Sequence, residues 1–457
     1  MAKELLEEVV EAPALVVEKT IELSKQAVDA VDRQRPFRAA KKYWEILGPG
    51  VITGAADDDP SGIATYSQTG SQYGFQLVWL AVLTLPMAGV IQEMCARIGL
   101  VTGRGLAANI RQIFPRQVLY VCTALLFLAN TFNIGADLGA LAKASQLIQP
   151  VWNYSVLIIF FALLCLGLQI FFSYKVYARY LKYLTILILS YVITAFFIKD
   201  LDWWAVLKST VVPSVTFSKN QIILICGIFG TTISPYLFFW QTSQEVEEEI
   251  EHGGTNIALR QESATDEQIK NMRIDNWSGM LLSETVMFFI IVVCGATLFK
   301  NGITNINTAA DAAAALRPLA GNSAYILFAL GIFGVGLLGI PVLAGSASYA
   351  LSESFRWREG LYRKLKEAYA FYGVMIVAML FGVMLNFVGL DPMKALIYSA
   401  VANGLVAPVV MVLIVLIGAN KKVMGERVNR PSTNFFGWLI TGLMIITGLA
   451  TIYSLFF

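Results

Sequence analysis

The chain has 457 residues, 56% of them hydrophobic and 14% charged, with a formal net charge of +2. That is too apolar for a water-soluble domain of this length, so a lipid bilayer is the expected solvent. A nearly balanced charge gives no footing for nucleic acid or an acidic polymer as a partner.

Residues 1–43 read as a cytoplasmic tail. The stretch LLEEVVEAPALVVEKTIELSKQAVDAVDRQ alternates acidic, basic and apolar residues and lacks an unbroken apolar core, so it is an amphipathic surface helix and not a cleaved signal peptide. Beyond it, apolar runs of about 20 residues without dyad alternation predict membrane helices and exclude an outer-membrane barrel. Spans begin near Ile46, Phe75, Val118, Ser155, Val176, Gln221, Trp277, Tyr325, Tyr369, Pro392 and Phe435, giving an all-α polytopic protein of about eleven helices.

Alternate loops are basic: Arg33, Arg35, Arg38, Lys41 and Lys42 precede the first span, Arg104, Arg111 and Arg116 follow the second, and Lys175, Arg179 and Lys182 follow the fourth. Arg356, Arg358, Arg363, Lys364 and Lys366 follow the eighth, and Lys421, Lys422, Arg427 and Arg430 the tenth. The positive-inside rule makes these loops and the N-terminus cytoplasmic, in a bacterial inner (cell) membrane, and puts Phe457 outside. The loop after the sixth span carries Glu245, Glu247, Glu248 and Glu249 and reads as a solvated helix extension, or as a vestibule that concentrates cations. Trp79, Trp152, Trp203, Trp204 and Trp438 fall near span ends as an aromatic belt. The five cysteines fall inside spans without CxxC spacing and read as small apolar residues.

Two spans carry what a membrane helix should not. The first, ILGPGVITGAADDDPSGIATYSQTGSQYG, places Asp57, Asp58, Asp59, Pro60 and Gly62 mid-stretch; the sixth, IILICGIFGTTISPYLFFWQTS, places Thr231, Ser234 and Pro235 in the equivalent position. A proline inside a helix removes one hydrogen bond and clashes one turn back, so both spans should unwind there. Carbonyls freed in hydrocarbon are tolerated only against protein or a watery cavity, and a cation satisfies them. Paired interruptions five spans apart imply inverted repeats around a shared midplane site. Successive residues point about 100° apart on a helix, so the three aspartates cannot all face one site; Asp59, abutting Pro60, is the chosen ligand, and it can also cap the second half-helix.

These residues resemble the NRAMP family of divalent-metal transporters, over nearly all of the chain beyond the tail. The likeness lies in DPSGIAT at 59–65, where the family has DPGNWAT, in CARIGLVTGRGLA at 95–107 and in GVGLLGIPVLAGSASYALSE at 334–353. It implies the leucine-transporter type of fold, with repeat one at 44–200, an extracellular linker at 201–218, repeat two at 219–418, and a cytoplasmic loop with helix 11 at 419–457. It puts Asp59 at the family's metal-binding aspartate and the Thr231 carbonyl at the sixth-helix ligand position.

The departures are specific. Where manganese and iron carriers have Asn, this chain has Gly62, and where they have Met-Pro-His it has Ser234, Pro235 and Tyr236. Loss of the thioether removes a soft ligand and the smaller side chains leave room for water, which suits Mg²⁺, a cation that gives up water reluctantly. The chain thus resembles the NRAMP-related magnesium transporter branch, with Mn²⁺ as a secondary cargo. Proton-relay residues are missing too: Tyr236 replaces the histidine, Ala140 follows Asp137 where an acid is usual, and the chain's one histidine is His252. Alternatives are a proton-coupled Mn²⁺/Fe²⁺ carrier, a symporter of small organic solutes with the same fold, and a carrier of a trivalent ion. A phosphate loop, nucleophile elbow and histidine metal triad are all lacking, so no enzyme and no cofactor are expected, and the protein is expected to be a monomer.

Asp137 is expected to face the interior, free for transport or paired with Lys143 or Arg97. Asn133, Asn403, Gln68, Tyr66, Tyr236 and Asp58 are cavity-lining candidates, and Glu284 is a second intramembrane carboxylate.

Overall fold

The computed structural model describes residues 35–198, 201–304, 306, 309–389 and 392–456. The amphipathic segment expected over residues 1–34, and Phe457, lie outside the described residues. Two compact units divide between Leu47 and Gly48. In the first, the described residues form one helix, α1 (Arg35–Ile46), exposed along most of its length from residue 39.

The second unit is a helical bundle whose first span is split into α2 (Pro49–Asp57) and α3 (Pro60–Tyr73). It continues through α4 (Trp79–Thr102), the short α5 (Leu106–Ile113), α6 (Arg116–Ile148), α7 (Tyr154–Phe171), and α8 (Tyr174–Leu184) with α9 (Leu189–Ala195) joined by a tight 3₁₀ turn. A short α10 (Trp203–Val211), capped by the Asp202 side chain, occupies the expected linker. The sixth span is split like the first, into α11 (Lys219–Thr232) and α12 (Pro235–Glu251). After α13 (Ile257–Ser263) come α14 (Asp266–Thr297), α15 (Ala309–Phe355), α16 (Tyr369–Leu385), α17 (Pro392–Gly418) and α18 (Pro431–Phe456). Gly321 interrupts α15 with a φ of 89°, a conformation that glycine adopts without a Cβ clash.

Nine described segments are long and apolar enough to cross a membrane and α16 is a shorter tenth. Together α2 and α3 supply the eleventh pass, about 35 Å of helix at 1.5 Å per residue. Their outward faces carry apolar side chains such as Val156, Ile159, Phe160 and Leu163 on α7, exposed to lipid. All five cysteines are buried and unbridged. Trp152, Trp203, Trp204 and Trp438 are exposed near span ends.

The packing follows the repeat. The broken first span lies on α14, which is span seven, and the second half of the broken sixth span lies on α4, which is span two. Exchanging one five-span half for the other exchanges these two contacts. At the centre α6 packs on α15.

The basic loops meet at one end. Lys175 pairs with Glu251 at 3.1 Å, the Tyr174 hydroxyl donates to Glu248 at 3.0 Å, and Glu353 accepts from the Ala108 amide at 2.9 Å. Arg427 pairs with Asp266 at the same end. At the opposite end the Tyr325 hydroxyl donates to the Leu147 carbonyl at 2.9 Å.

Candidate ion site at the two helix breaks

Both second half-helices begin on a proline, Pro60 and Pro235, where the missing N–H would have had no helical partner. Their caps differ. Asp59 caps α3: one carboxylate oxygen accepts from the Gly62 amide at 3.0 Å and from Ser61 Oγ at 2.5 Å. Ser234 turns its hydroxyl the other way, donating to the carbonyls of Gly230 at 2.5 Å and Thr231 at 2.7 Å, two acceptors freed where α11 ends.

The second Asp59 oxygen accepts from Asn133 Nδ2 on α6 at 2.7 Å and from the Tyr236 hydroxyl at 3.2 Å. Tyr236 also donates to the Ala56 carbonyl at 2.8 Å, and Ser399 Oγ on α17 donates to Asn133 Oδ1 at 2.5 Å. A second link between the breaks joins the hydroxyls of Tyr66 and Thr231 at 3.0 Å. Asp59, Thr231, Ser234 and Tyr236 are all nearly or fully buried.

A Cβ added at Gly62 would stand 3.3 Å from the Asp57 carbonyl oxygen and 3.3 Å from the Tyr66 ring. The small residue there is filled over by an aromatic ring, whereas the sequence suggested open room for water. Gly339 of α15 is squeezed between two carboxyl residues: a Cβ there would lie 3.0 Å from Asp59 Cβ and 3.9 Å from Asp137 Oδ2. Asp137 therefore adjoins Asp59; neither of its oxygens makes a hydrogen bond of good geometry among the described residues, and the Ser61 backbone amide lies within reach. Neither cation expected to pair with it does so: Lys143 sits 5.1 Å over the Tyr154 ring and Arg97 bonds Asn429.

Asp57 and Asp58 face elsewhere. Asp57 accepts from Ser283 Oγ on α14 at 2.8 Å, and the buried Asp58 lies near the same hydroxyl without a hydrogen bond of good geometry among the described residues. Glu284 accepts from Thr84 Oγ1 on α4 at 2.7 Å with its other oxygen unpartnered, within electrostatic reach of both. Asn403 has neither amide atom bonded and lies one turn beyond Ser399. Gln68 is not at the breaks: its amide donates to the Thr304 carbonyl at 3.4 Å, nearer the opposite end. Among the described residues no three His, Cys, Asp or Glu side chains converge as a closed metal cage, and the arrangement at the breaks consists of oxygen donors and amides.

The acidic stretch after the sixth span is not a solvated extension. Glu245, Glu247 and Glu249 are buried, and Glu247 accepts from the Tyr349 hydroxyl at 2.5 Å and from the Leu361 and Tyr362 amides at 2.7 and 3.2 Å. The cavity beside it, roughly 250 Å³, mixes Arg104, Arg111 and Arg260 with Glu247, Glu353 and Glu359, so it is no purely acidic vestibule. His252 is exposed and bonded to the Glu248 carbonyl. Sequence reasoning undervalued Asn133, which sits one helical turn before Asp137 on α6; that i, i+4 pairing of two polar residues in an apolar span was the available signal.

A many-span helical bundle in which two equivalent helices break around a buried carboxylate is a membrane transporter of the inverted-repeat kind, and not an enzyme. The family profile described as natural resistance-associated macrophage protein-like (Nramp) matches residues 50–454. The chain belongs to the Nramp family. It is 27% identical over 434 residues to a divalent metal cation transporter MntH of Yersinia pestis (strain Pestoides F), covering 93% of this chain and 98% of that one. To the MntH of Caldanaerobacter subterraneus subsp. tengcongensis it is 26% identical, covering 90% and 93%. Among solved structures, the Eremococcus coleocola manganese transporter aligns with a TM-score of 0.66 at 19% identity, over 91% of this chain and 86% of that one. Mhp1, a nucleobase-cation-symport-1 family transporter, aligns at 0.55 and 16%, over 89% and 91%. These two likenesses establish the leucine-transporter type of fold.

Proposed function

We propose that this chain imports Mg²⁺, with Mn²⁺ as a secondary cargo, as a largely hydrated ion, by alternating access and without stoichiometric protons. It is a membrane transporter of divalent metal ions; the identity of the preferred ion is read from the donor set. The observation that carries it is the chemistry at the second break, where Ser234 and Tyr236 present hydroxyls and no sulfur or imidazole. Hydroxyl, carbonyl, carboxylate and water suit a hard cation, whereas a thioether would favour softer transition metals.

Asp59 supplies the ligand charge, and Thr231, Ser234 and Gly62 line the path between the breaks. Because the Thr231 carbonyl and the Ser234 hydroxyl already bond each other, an ion meets them most readily through its own waters, whose hydrogens the carbonyls accept. The basic end is the cytoplasmic one by the positive-inside rule. Inward movement of a divalent ion across 100 mV gains about 4.6 kcal/mol, roughly a thousandfold in gradient, so an abundant ion needs no further coupling.

A second reading, proton-coupled Mn²⁺ or Fe²⁺ transport, has one observation in its favour: Asp137 stands buried beside Asp59 with no side-chain partner for either oxygen among the described residues. Proteoliposomes decide between the two. The proposal expects Mn²⁺ uptake to be competed by millimolar Mg²⁺ with no acidification of the lumen. Uptake untouched by Mg²⁺, or acidification that tracks metal and disappears in Asp137→Asn, overturns it.

A further inference from the structure

Helix α2 starts with no cap of its own. Gly48 has no side chain to offer and Pro49 has no N–H, so the amides of Gly48, Gly50 and Val51 stand open at its first turn. All three donate to one carboxylate, Asp275 of α14, at 2.8, 2.6 and 3.0 Å, from more than 220 residues away in the chain. Asp275 is buried, Lys182 lies within electrostatic reach, and the carboxylate faces the positive end of the α2 dipole.

Along the same seam the two backbones touch. A Cβ on Gly54 would come within 2.2 Å of the Gly279 carbonyl, one on Gly279 within 2.1 Å of the Gly50 oxygen, and one on Gly50 within 2.5 Å of the Asn276 amide. Nothing larger than glycine fits while α2 lies on α14. Helix α2 runs from the basic end up to Asp57, two residues short of Asp59, and so lies along the approach to Asp59 from that end.

We propose that Asp275 is the clasp of this gate, a positioning residue that holds α2 closed on α14 and whose three hydrogen bonds are given up when α2 swings away to open the path. The alternating-access cycle in which the clasp acts rests on the transport reading above. The clasp itself does not depend on which ion is carried. A locally supplied cap would travel with its helix, whereas a cap on the neighbouring helix is broken by the movement, so it weights the closed state against the open one. The glycine seam gives shape to the closed position and Asp275 gives it hydrogen-bond energy.

Labelling without metal tests the clasp. Thr53, fully buried on α2, is replaced by cysteine in a chain whose five native cysteines have been removed, and its reaction rate with a water-soluble maleimide is measured on the full-length protein in detergent. Asp275→Ala is expected to raise the rate at least tenfold and Asp275→Asn by less, because the amide oxygen still accepts but carries no charge. Gly279→Ala, which must lift α2 off its seat, is expected to raise it as well. A second reporter, Ser346→Cys in the buried centre of α15, should stay protected in all three. A Thr53→Cys rate within twofold of the parent in Asp275→Ala overturns the proposal, as does a rise matched at Ser346→Cys in both Asp275 variants, which marks Asp275 as a support of the whole bundle. Failure of metal uptake in liposomes would strike the transport reading alone, since the labelling contains no metal.

Discussion

Ser234→Met restores the thioether that the second break lacks, and its consequences follow from two distances. The Ser234 hydroxyl holds the carbonyls of Gly230 at 2.5 Å and Thr231 at 2.7 Å. Methionine donates to neither, and leaving buried acceptors unmade costs about 1–3 kcal/mol. The metal-free protein should therefore unfold at a lower temperature than the parent. With the Thr231 carbonyl released and a polarisable sulfur beside it, the site gains one soft and one uncommitted oxygen ligand, and Cd²⁺ and Mn²⁺ should gain on Mg²⁺ by tenfold or more, equivalent to about 1.4 kcal/mol. Parallel competition assays in liposomes measure that ratio, and scanning calorimetry measures the stability. An unchanged metal ranking in a variant that is folded and destabilised as expected would refute the ligand reasoning, because the perturbation would have reached the carbonyls without reaching the ion.

Asp59→Ala should abolish uptake of every divalent ion, and flux assays with Mg²⁺ and Mn²⁺ check it; residual Mn²⁺ movement would shift the ligand role toward Asp137. Asp137→Asn, by the uncoupled reading, should keep at least a third of the Mg²⁺ uptake rate and should leave its dependence on outside pH unaltered. Glu359, outside the spans, is pushed up to about 9 by burial and by neighbouring Glu353. Its folded form therefore holds a proton that the unfolded chain releases above about 4.3, so it lowers stability progressively as pH rises from there toward 9. Glu359→Gln should flatten that part of the melting-temperature profile, and an unchanged slope between pH 5 and 9 would remove Glu359 as its source.

Much of the bundle could be read from the residues because hydrocarbon imposes simple rules. Long apolar runs must be helices, and the segments DPSG and ISPY cannot continue one, so the spans and both breaks were legible before any contact was known. Asp59 was legible for the same reason: a carboxylate beside a proline at a helix start has a cap to make. What depends on a partner from another span was not. The carboxylates at Glu245, Glu247 and Glu249 look solvated in sequence and are buried, Glu245 against Gln241, Glu247 against Tyr349 and the amides after residue 360, and Glu249 against Ser263. The separate allegiance of Asp57 to Ser283 and the service of Asn133 to Asp59 are tertiary facts of the same kind. One such contact did leave a trace: Gly48-Pro49-Gly50 opens a helix with no side chain able to cap it, which implies an acceptor from elsewhere.

The donors already engaged at the two breaks bear on how an ion is held. Asp59 has four donors, two on each oxygen, and the Thr231 carbonyl has a hydroxyl. A bare cation entering here would have to displace Asn133 and Tyr236 from one oxygen, leaving a buried amide and hydroxyl to find new partners. Either cation displaces these donors, but a hydrated one brings water that can both donate to Asp59 and accept from the displaced Asn133 amide, and its charge is met by Asp59 through that water layer. Tyr236 also holds the Ala56 carbonyl at the end of α2, the helix that Asp275 seats on α14. Its one proton is shared between Asp59 and Ala56, so displacement from Asp59 leaves it wholly to the Ala56 carbonyl and holds the inner end of α2 while the site is filled.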